Sequence, residues 1–99
     1  MKVVWTRSAT RELRGIHDAI AQNSREYARG MIDRITRQTK SLARFPRLGP
    51  QVPEYEDESI RELFEHPYRI IYRIHQGRIQ VLSVVHGARS LPEAPGSPD

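Results

Sequence analysis

The sequence predicts an α+β domain: an N-terminal strand, then an α-helical hairpin packed on a small curved antiparallel β-sheet. Two patterns carry the prediction. Between Ala9 and Leu42, apolar residues recur at steps of three and four, with one polar break at Gln22-Asn23. From Ile60 to Arg89, runs of β-branched and aromatic residues are bounded by Pro or Gly. The links between those runs are too short for a parallel crossover, so they form an antiparallel meander.

Lys2 to Thr6 reads as the first strand, with Trp5 in the core or an interface. Ser8 is a suitable N-cap, and Ala9 opens a helix whose apolar face holds Leu13, Ile16 and Ile20, with Ala9 and Ala19 beside them. Ser24 caps a second helix. Its apolar stripe is Tyr27, Ala28, Met31, Ile32, Ile35 and Leu42, and Arg25, Arg29, Arg34, Arg37 and Lys40 fall between as its wet side. Phe45-Pro46-Arg47-Leu48-Gly49-Pro50 stops that helix and begins a loop that runs to about Ser59. Three strands follow, over Ile60–Glu65, Tyr68–Ile74 and Ile79–Val85, with a Gln76-Gly77 turn before the last. Residues 1–90 form one domain, and the Pro-rich stretch 91–99 is expected to be a disordered tail.

The pleat of the middle strand sorts its side chains. Tyr68, Ile70, Tyr72 and Ile74 share one face, which should meet the core; Arg69, Ile71 and Arg73 share the other, which should look outward. Two readings of the arginine face stay open. It is either a seat for a phosphate chain or acidic peptide, or a solvated face with ion pairs to Glu62 and Glu65.

The chain is basic, with 16 Lys+Arg against 12 Asp+Glu and a pI near 10.0, and all its cations except Lys2 and Lys40 are arginine. Arginine presents a planar fork suited to phosphate and carboxylate, so the balance favours polyanions or acidic partners. Residues 48–59 reverse it, with Glu54, Glu56, Asp57 and Glu58 and no cation. That loop either folds back on the arginines or stays solvated, the default for such a run. Without cysteine there is neither disulfide nor thiolate chemistry. The N-terminal apolar run is too short for a signal peptide and nothing is long enough to span a bilayer, so a cytoplasmic protein with no membrane role is expected.

No Gly-rich loop precedes a Lys-Ser/Thr, and His17, His66, His75 and His86 lack metal-ligand spacing, so no metal or cofactor is expected. The remaining chemistry surrounds the sheet: Arg61, Arg69, Arg73, His86 and Arg89, with Glu54 in the loop. RNA cleavage by its own 2′-hydroxyl needs a base, cations on the phosphorane and an acid. His86 suits acid or base, Arg69 and Arg89 suit the phosphate, and Glu54 suits a base if the loop closes. Against this stands a structural reading, in which His86 caps a strand end and Arg89 pairs with the acidic loop.

Taken together, Trp5 with Ala9 and Leu13, Phe45 through Gly49, Arg61-Glu62-Leu63, His66 through Arg73 and Val84 through Arg89 resemble the RelE/ParE superfamily of bacterial type II toxin–antitoxin toxins. The resemblance covers roughly residues 3 to 91 and implies the helical hairpin on a curved antiparallel sheet. Its RelE branch implies a metal-independent, ribosome-dependent mRNA endonuclease, with Arg69 and Arg89 on the phosphate; the usual tyrosine or His-Tyr pair after Arg89 has no match here. Its ParE branch is closer in His66-Pro67-Tyr68 through Arg73 and in Val85-His86 through Arg89. It implies a growth-inhibiting toxin that binds DNA gyrase without catalysis and serves plasmid stabilisation. Arg61, Arg69, Arg73 and Arg89 would then be binding residues, and Arg69, Arg89 and His86 catalytic only in a nuclease. Either branch implies a hetero-oligomer with a cognate antitoxin whose acidic segment wraps the toxin. A third possibility is a non-toxic accessory binding protein on the same fold.

Overall fold

The computed structural model describes residues 1–92. Six elements follow in order: β1 (Lys2–Trp5), α1 (Arg7–Ala21), α2 (Arg25–Ser41), β2 (Ile60–Glu65), β3 (Tyr68–His75) and β4 (Arg78–His86). Thr6, rather than Ser8, caps α1. Its backbone is extended, its N–H donates to Val81 O, and its hydroxyl accepts from Ala9 N at 3.0 Å. One residue thus ends the strand and starts the helix, which leaves Ser8 inside the first turn. Ser24 caps α2 as expected, accepting from Tyr27 N.

The sheet order is β1-β4-β3-β2. The meander β2-β3-β4 is antiparallel, but β1 lies parallel to β4, so the sheet is mixed and not wholly antiparallel. A parallel neighbour needs a long crossover, and the helical hairpin with the first two strands of the meander supplies it. The β3–β4 turn places Gln76 at φ 48° and Gly77 at φ 74°. Positive φ at both positions matches the right-handed twist of the flanking strands, and glycine adopts it without steric cost.

The helices cover one face of the sheet. Ala9, Met31, Ile35 and Leu42 pack there on Leu63, Ile70, Tyr72, Ile79, Val81 and Val84, with Leu13, Ile16, Ile20 and Trp5 at the margin. Tyr27 departs from the expected stripe: it is exposed and lies under the Arg34 guanidinium, 5.9 Å from its carbon. Ala19 is also exposed.

The opposite face carries the main correction to the expected fold. Arg69, Ile71 and Arg73 do not look outward; all three are buried. The loop after α2 folds back as a roof, and Val52 and Tyr55 pack with Ile60 and Ile71 in a second core, flanked by Leu82 and Leu91. The roof is hydrogen-bonded to the edge of β2 through Val52 N to Ile60 O and Glu62 N to Pro50 O. Two apolar side chains in the loop are enough to tie it down, and the buried guanidinium of Arg69 is admitted because carboxylates meet it there. Leu91, within the segment expected to be a tail, packs on this second core, and Pro92 O accepts from the Tyr55 hydroxyl at 2.9 Å. Residues 93–99 of that segment lie outside the described residues.

A β-bulge at Leu82 governs the far end of the sheet. Ile71 pairs with Ser83 but Tyr72 pairs with Val81, so Leu82 is the extra residue. Ile79 and Val81 face the first core, and beyond the bulge Val84 does so. The alternation of β4 therefore shifts by one residue at this point. Ser83 Oγ and Val84 N, next to the disruption, are met by the Glu12 carboxylate of α1 at 3.0 to 3.3 Å.

Candidate functional site

Arg69 is a buried charged centre paired with two carboxylates. It extends from β3 under the roof, with its side chain 8% exposed. Glu62, from the neighbouring β2 and 4% exposed, accepts from Nε at 2.7 Å and lies 2.6 Å from Nη2. Glu54, from the roof and 43% exposed, takes the outer edge of the fork: Nη1 donates to Oε2 at 2.7 Å and Nη2 to Oε1 at 2.9 Å. One cation is thus shared by a buried carboxylate and a rim carboxylate. Donating hydrogen bonds to Glu54 and then to Glu62 drives the Arg69 pKa above its already high ordinary value, against the effect of burial. Hydrogen bonding from Arg69 likewise holds the Glu54 carboxyl below its ordinary value of 4.5. A carboxylate held this way is a weaker base, so closing the loop has engaged Glu54 instead of freeing it for proton abstraction.

A pH dependence follows from that depressed pKa. The stability from Glu54 is fully present above its unfolded value and is lost as pH falls through the lower folded value. Wild type is therefore expected to resist urea better than Glu54→Gln at neutral pH, with the gap closing as pH falls through the lowered carboxyl value of the folded state. Glu54 is partly solvated, which keeps the gap small. Two urea titrations of each protein check it, and a gap that widens on acidification contradicts the assignment.

The other expected binding residues have separate positions. Arg61 is a loop clamp: its Nε donates to Gly49 O at 2.5 Å and its Nη1 to Glu58 O at 3.1 Å. Arg73 is buried on the roofed face. Asp57, in the roof, is held below its ordinary carboxyl value chiefly by the Ser59 hydroxyl and N–H, with a smaller contribution from the charge of Arg73. Arg89 is exposed in the turn after β4, where its backbone N–H donates to His86 O.

His86 is also exposed, at the end of β4. Its Nδ1 accepts from Ala88 N at 3.1 Å, a cap on the strand end. Its ring meets that of its register partner Tyr68 edge-on, with 6.0 Å between centroids. Tyr68 belongs to the helix-covered face. Arg69, one residue on, points to the roofed face, where it pairs in register with Val85. His86 and Arg69 therefore occupy opposite faces of the sheet. Without the bulge at Leu82, simple alternation from Ile79 and Val81 would have put His86 on the Arg69 face. The core positions at 79, 81 and 84 break a period of two, but the sequence, apolar also at 82 and 85, does not mark which of these residues face the core.

One structural role escaped the sequence reading. The Tyr72 hydroxyl, under the sheet, donates to Pro46 O at 2.8 Å and accepts from Gly49 N at 3.1 Å. It ties down the Phe45-to-Gly49 turn from which the roof starts. Glu62, named in the sequence as an ion-pair partner of the arginine face, does meet Arg69, but in a buried pair and not on a solvated face. Among the described residues, no group of three His, Asp or Glu side chains is placed to hold a metal ion, and no helix is long and apolar enough to cross a membrane.

A helical hairpin over a mixed β1-β4-β3-β2 sheet is the fold this chain shares with solved toxin–antitoxin structures. Residues 3–91 match the family described as the ParE toxin of the type II toxin–antitoxin system parDE, and the chain belongs to that family. A chain from the chromosomal ParDE toxin–antitoxin system of P. aeruginosa superposes with a TM-score of 0.73 at 28% identity, over 87% of this chain and 95% of the other. A chain of the RelBE2 toxin–antitoxin complex from Mycobacterium tuberculosis does so with a TM-score of 0.54 at 24% identity, over 89% and 92%, a likeness of fold alone. No individually curated protein matches.

Proposed function

We propose that this chain is the growth-inhibiting toxin of a type II toxin–antitoxin module serving plasmid stabilisation, that it acts in the cytoplasm by binding DNA gyrase without catalysing a reaction, and that a cognate antitoxin neutralises it in a hetero-oligomer. One observation favours binding over mRNA cleavage: the groups a nuclease would need are split across the sheet. Cleavage by the 2′-hydroxyl requires base, cation and acid around one phosphate within hydrogen-bond reach. Here Arg69 is closed under the roof by two carboxylates, while His86 caps the strand end on the opposite face. The ParDE likeness supports the same branch. The antitoxin would bring an acidic segment, for which the net charge of +4 provides long-range attraction.

The test is pulse labelling immediately after induction, following thymidine and methionine incorporation together. Thymidine incorporation should fall first, and His86→Ala should leave that inhibition largely intact. An earlier fall in methionine incorporation, or loss of toxicity in a folded His86→Ala protein, would return the assignment to an mRNA endonuclease. Normal growth with abundant folded protein would point to the accessory, non-toxic role.

A further inference from the structure

We infer that Arg69 is a carboxylate-binding site occupied in the isolated chain by the protein's own Glu54, and that an acidic side chain of a partner protein binds there by taking Glu54's place. The inference deepens the antitoxin reading and rests on it for the acidic chemistry of the partner, while the Arg69–Glu54 site itself stands whichever target the toxin has. It starts from the asymmetry of the two acids. Glu62 is buried and is a permanent counter-ion, whereas Glu54 sits at the rim with its side chain 43% exposed. The roof backbone does not depend on Glu54: Val52 and Tyr55 on either side of it are buried in the second core. The Glu54 side chain can therefore rotate into water with the roof in place. That movement opens the outer Nη1/Nη2 edge of a fork already oriented by Glu62.

The vacated edge fits a planar anion with two oxygens, the group that Glu54 itself presents at 2.7 and 2.9 Å. Exchanging one carboxylate for another leaves the charge of the buried centre unchanged, so the incoming group meets no new desolvation problem. The surroundings suit a protein segment. Phe64, the register partner of Arg69, is 58% exposed. Gly87 adjoins the Arg69 stem, and a Cβ there would come within 3.2 Å of Pro67 O and 3.7 Å of Arg69 Cγ, so glycine keeps that flank open. Aromatic residues, phenylalanine among them, and arginine are both enriched at the cores of protein interfaces. A nucleic-acid backbone is disfavoured, since Glu56, Asp57 and Glu58 share the roof and a released Glu54 adds to their charge.

The experiment uses the full chain labelled with nitrogen-15 and follows the Arg69 Nε–H signal. Sodium acetate and dimethyl phosphate are titrated separately at constant ionic strength into wild type, Glu54→Gln and the roof control Glu56→Gln. A tethered competitor that holds the fork nine-tenths of the time raises an apparent dissociation constant about tenfold. Acetate should therefore half-saturate Glu54→Gln at about one-tenth of the concentration that wild type needs, with Glu56→Gln tracking wild type. Equal half-saturation in wild type and Glu54→Gln, or no response of Arg69 in the folded variant, overturns the proposal. Tighter binding of dimethyl phosphate than of acetate overturns the carboxylate assignment in favour of a phosphate chain. Should Glu54→Gln fail to fold, Glu54→Asp keeps the charge but is too short to span the fork. It should also bind acetate at lower concentration than wild type, and unchanged binding there counts equally against the proposal.

Discussion

Arg69→Ala is expected to destabilise the fold by about 3–5 kcal/mol, the usual cost of removing one member of a buried ion pair. The loss arises mainly from what remains. Glu62 is 3% exposed, and without the guanidinium its charge would sit beneath the roof with no cation bonded to it. Glu54, at the rim, can return to water and adds little. An arginine that only held a ligand would tolerate truncation with folding intact, so the urea midpoint separates the two roles. The control is the double variant Arg69→Met with Glu62→Leu, which removes both buried charges and keeps much of the volume. It should recover most of the lost stability, because burying apolar groups avoids the desolvation cost of the pair. A wild-type midpoint for Arg69→Ala would show that Glu62 is hydrated and that the roof is open in solution. Any toxicity assay of Arg69 variants has to be read beside that midpoint, since loss of function from unfolding would imitate loss of a binding residue.

The helical hairpin and the meander were legible in the sequence because local chemistry and tertiary packing agree there. Leu13, Ile16 and Ile20 recur at helical spacing and do face the sheet; Ser24 is both the best local cap and the observed one. Gln76-Gly77 is a turn by composition and by its φ values. The roof was legible only as one of two alternatives, folding back on the arginines or staying solvated, because the contacts that decide between them join residues far apart in the chain. Val52 and Tyr55 are isolated in a polar loop, and nothing local shows that they cover Ile60 and Ile71. The burial of Arg69 and Arg73 followed from the same omission: period-two alternation sorts side chains between faces but does not say what lies over each face. The parallel placement of β1 beside β4 likewise has no local signal, since Lys2 to Trp5 would read the same in either orientation. Of the Arg69 centre, Arg69 and Glu54 were identifiable as residues, whereas Arg89 lies apart from them, exposed in the turn after β4. The bulge at Leu82, which turns His86 to the other face, separates groups that an unbroken strand would have brought together.

Gly49→Ala is expected to cost about 3 kcal/mol or more, at the upper end of over-packing effects. An added Cβ would lie 2.0 Å from Glu62 O and 2.8 Å from Glu62 C. Both are backbone atoms of β2, so no rotamer change relieves the clash and the loop has to lift. Lifting strains a connected set of bonds: Gly49 N to the Tyr72 hydroxyl, Arg61 Nε to Gly49 O, and Glu62 N to Pro50 O. Each is worth about 1 kcal/mol, and the Tyr72 hydroxyl is under the sheet, where a lost partner is not readily replaced by water. The damage should reach Arg69, because the same loop carries Glu54. Amide hydrogen exchange can follow this spread: the N–H groups of Glu62 and Val52 should lose protection in Gly49→Ala, while those of α1 keep most of theirs relative to global unfolding. Unchanged protection at Glu62 would mean that the turn accommodates a side chain and that the roof is held from its other end, by Tyr55 and Pro92. The expected result places the hinge of the roof at Gly49, so the close approach that only glycine permits there also sets where Glu54 meets Arg69.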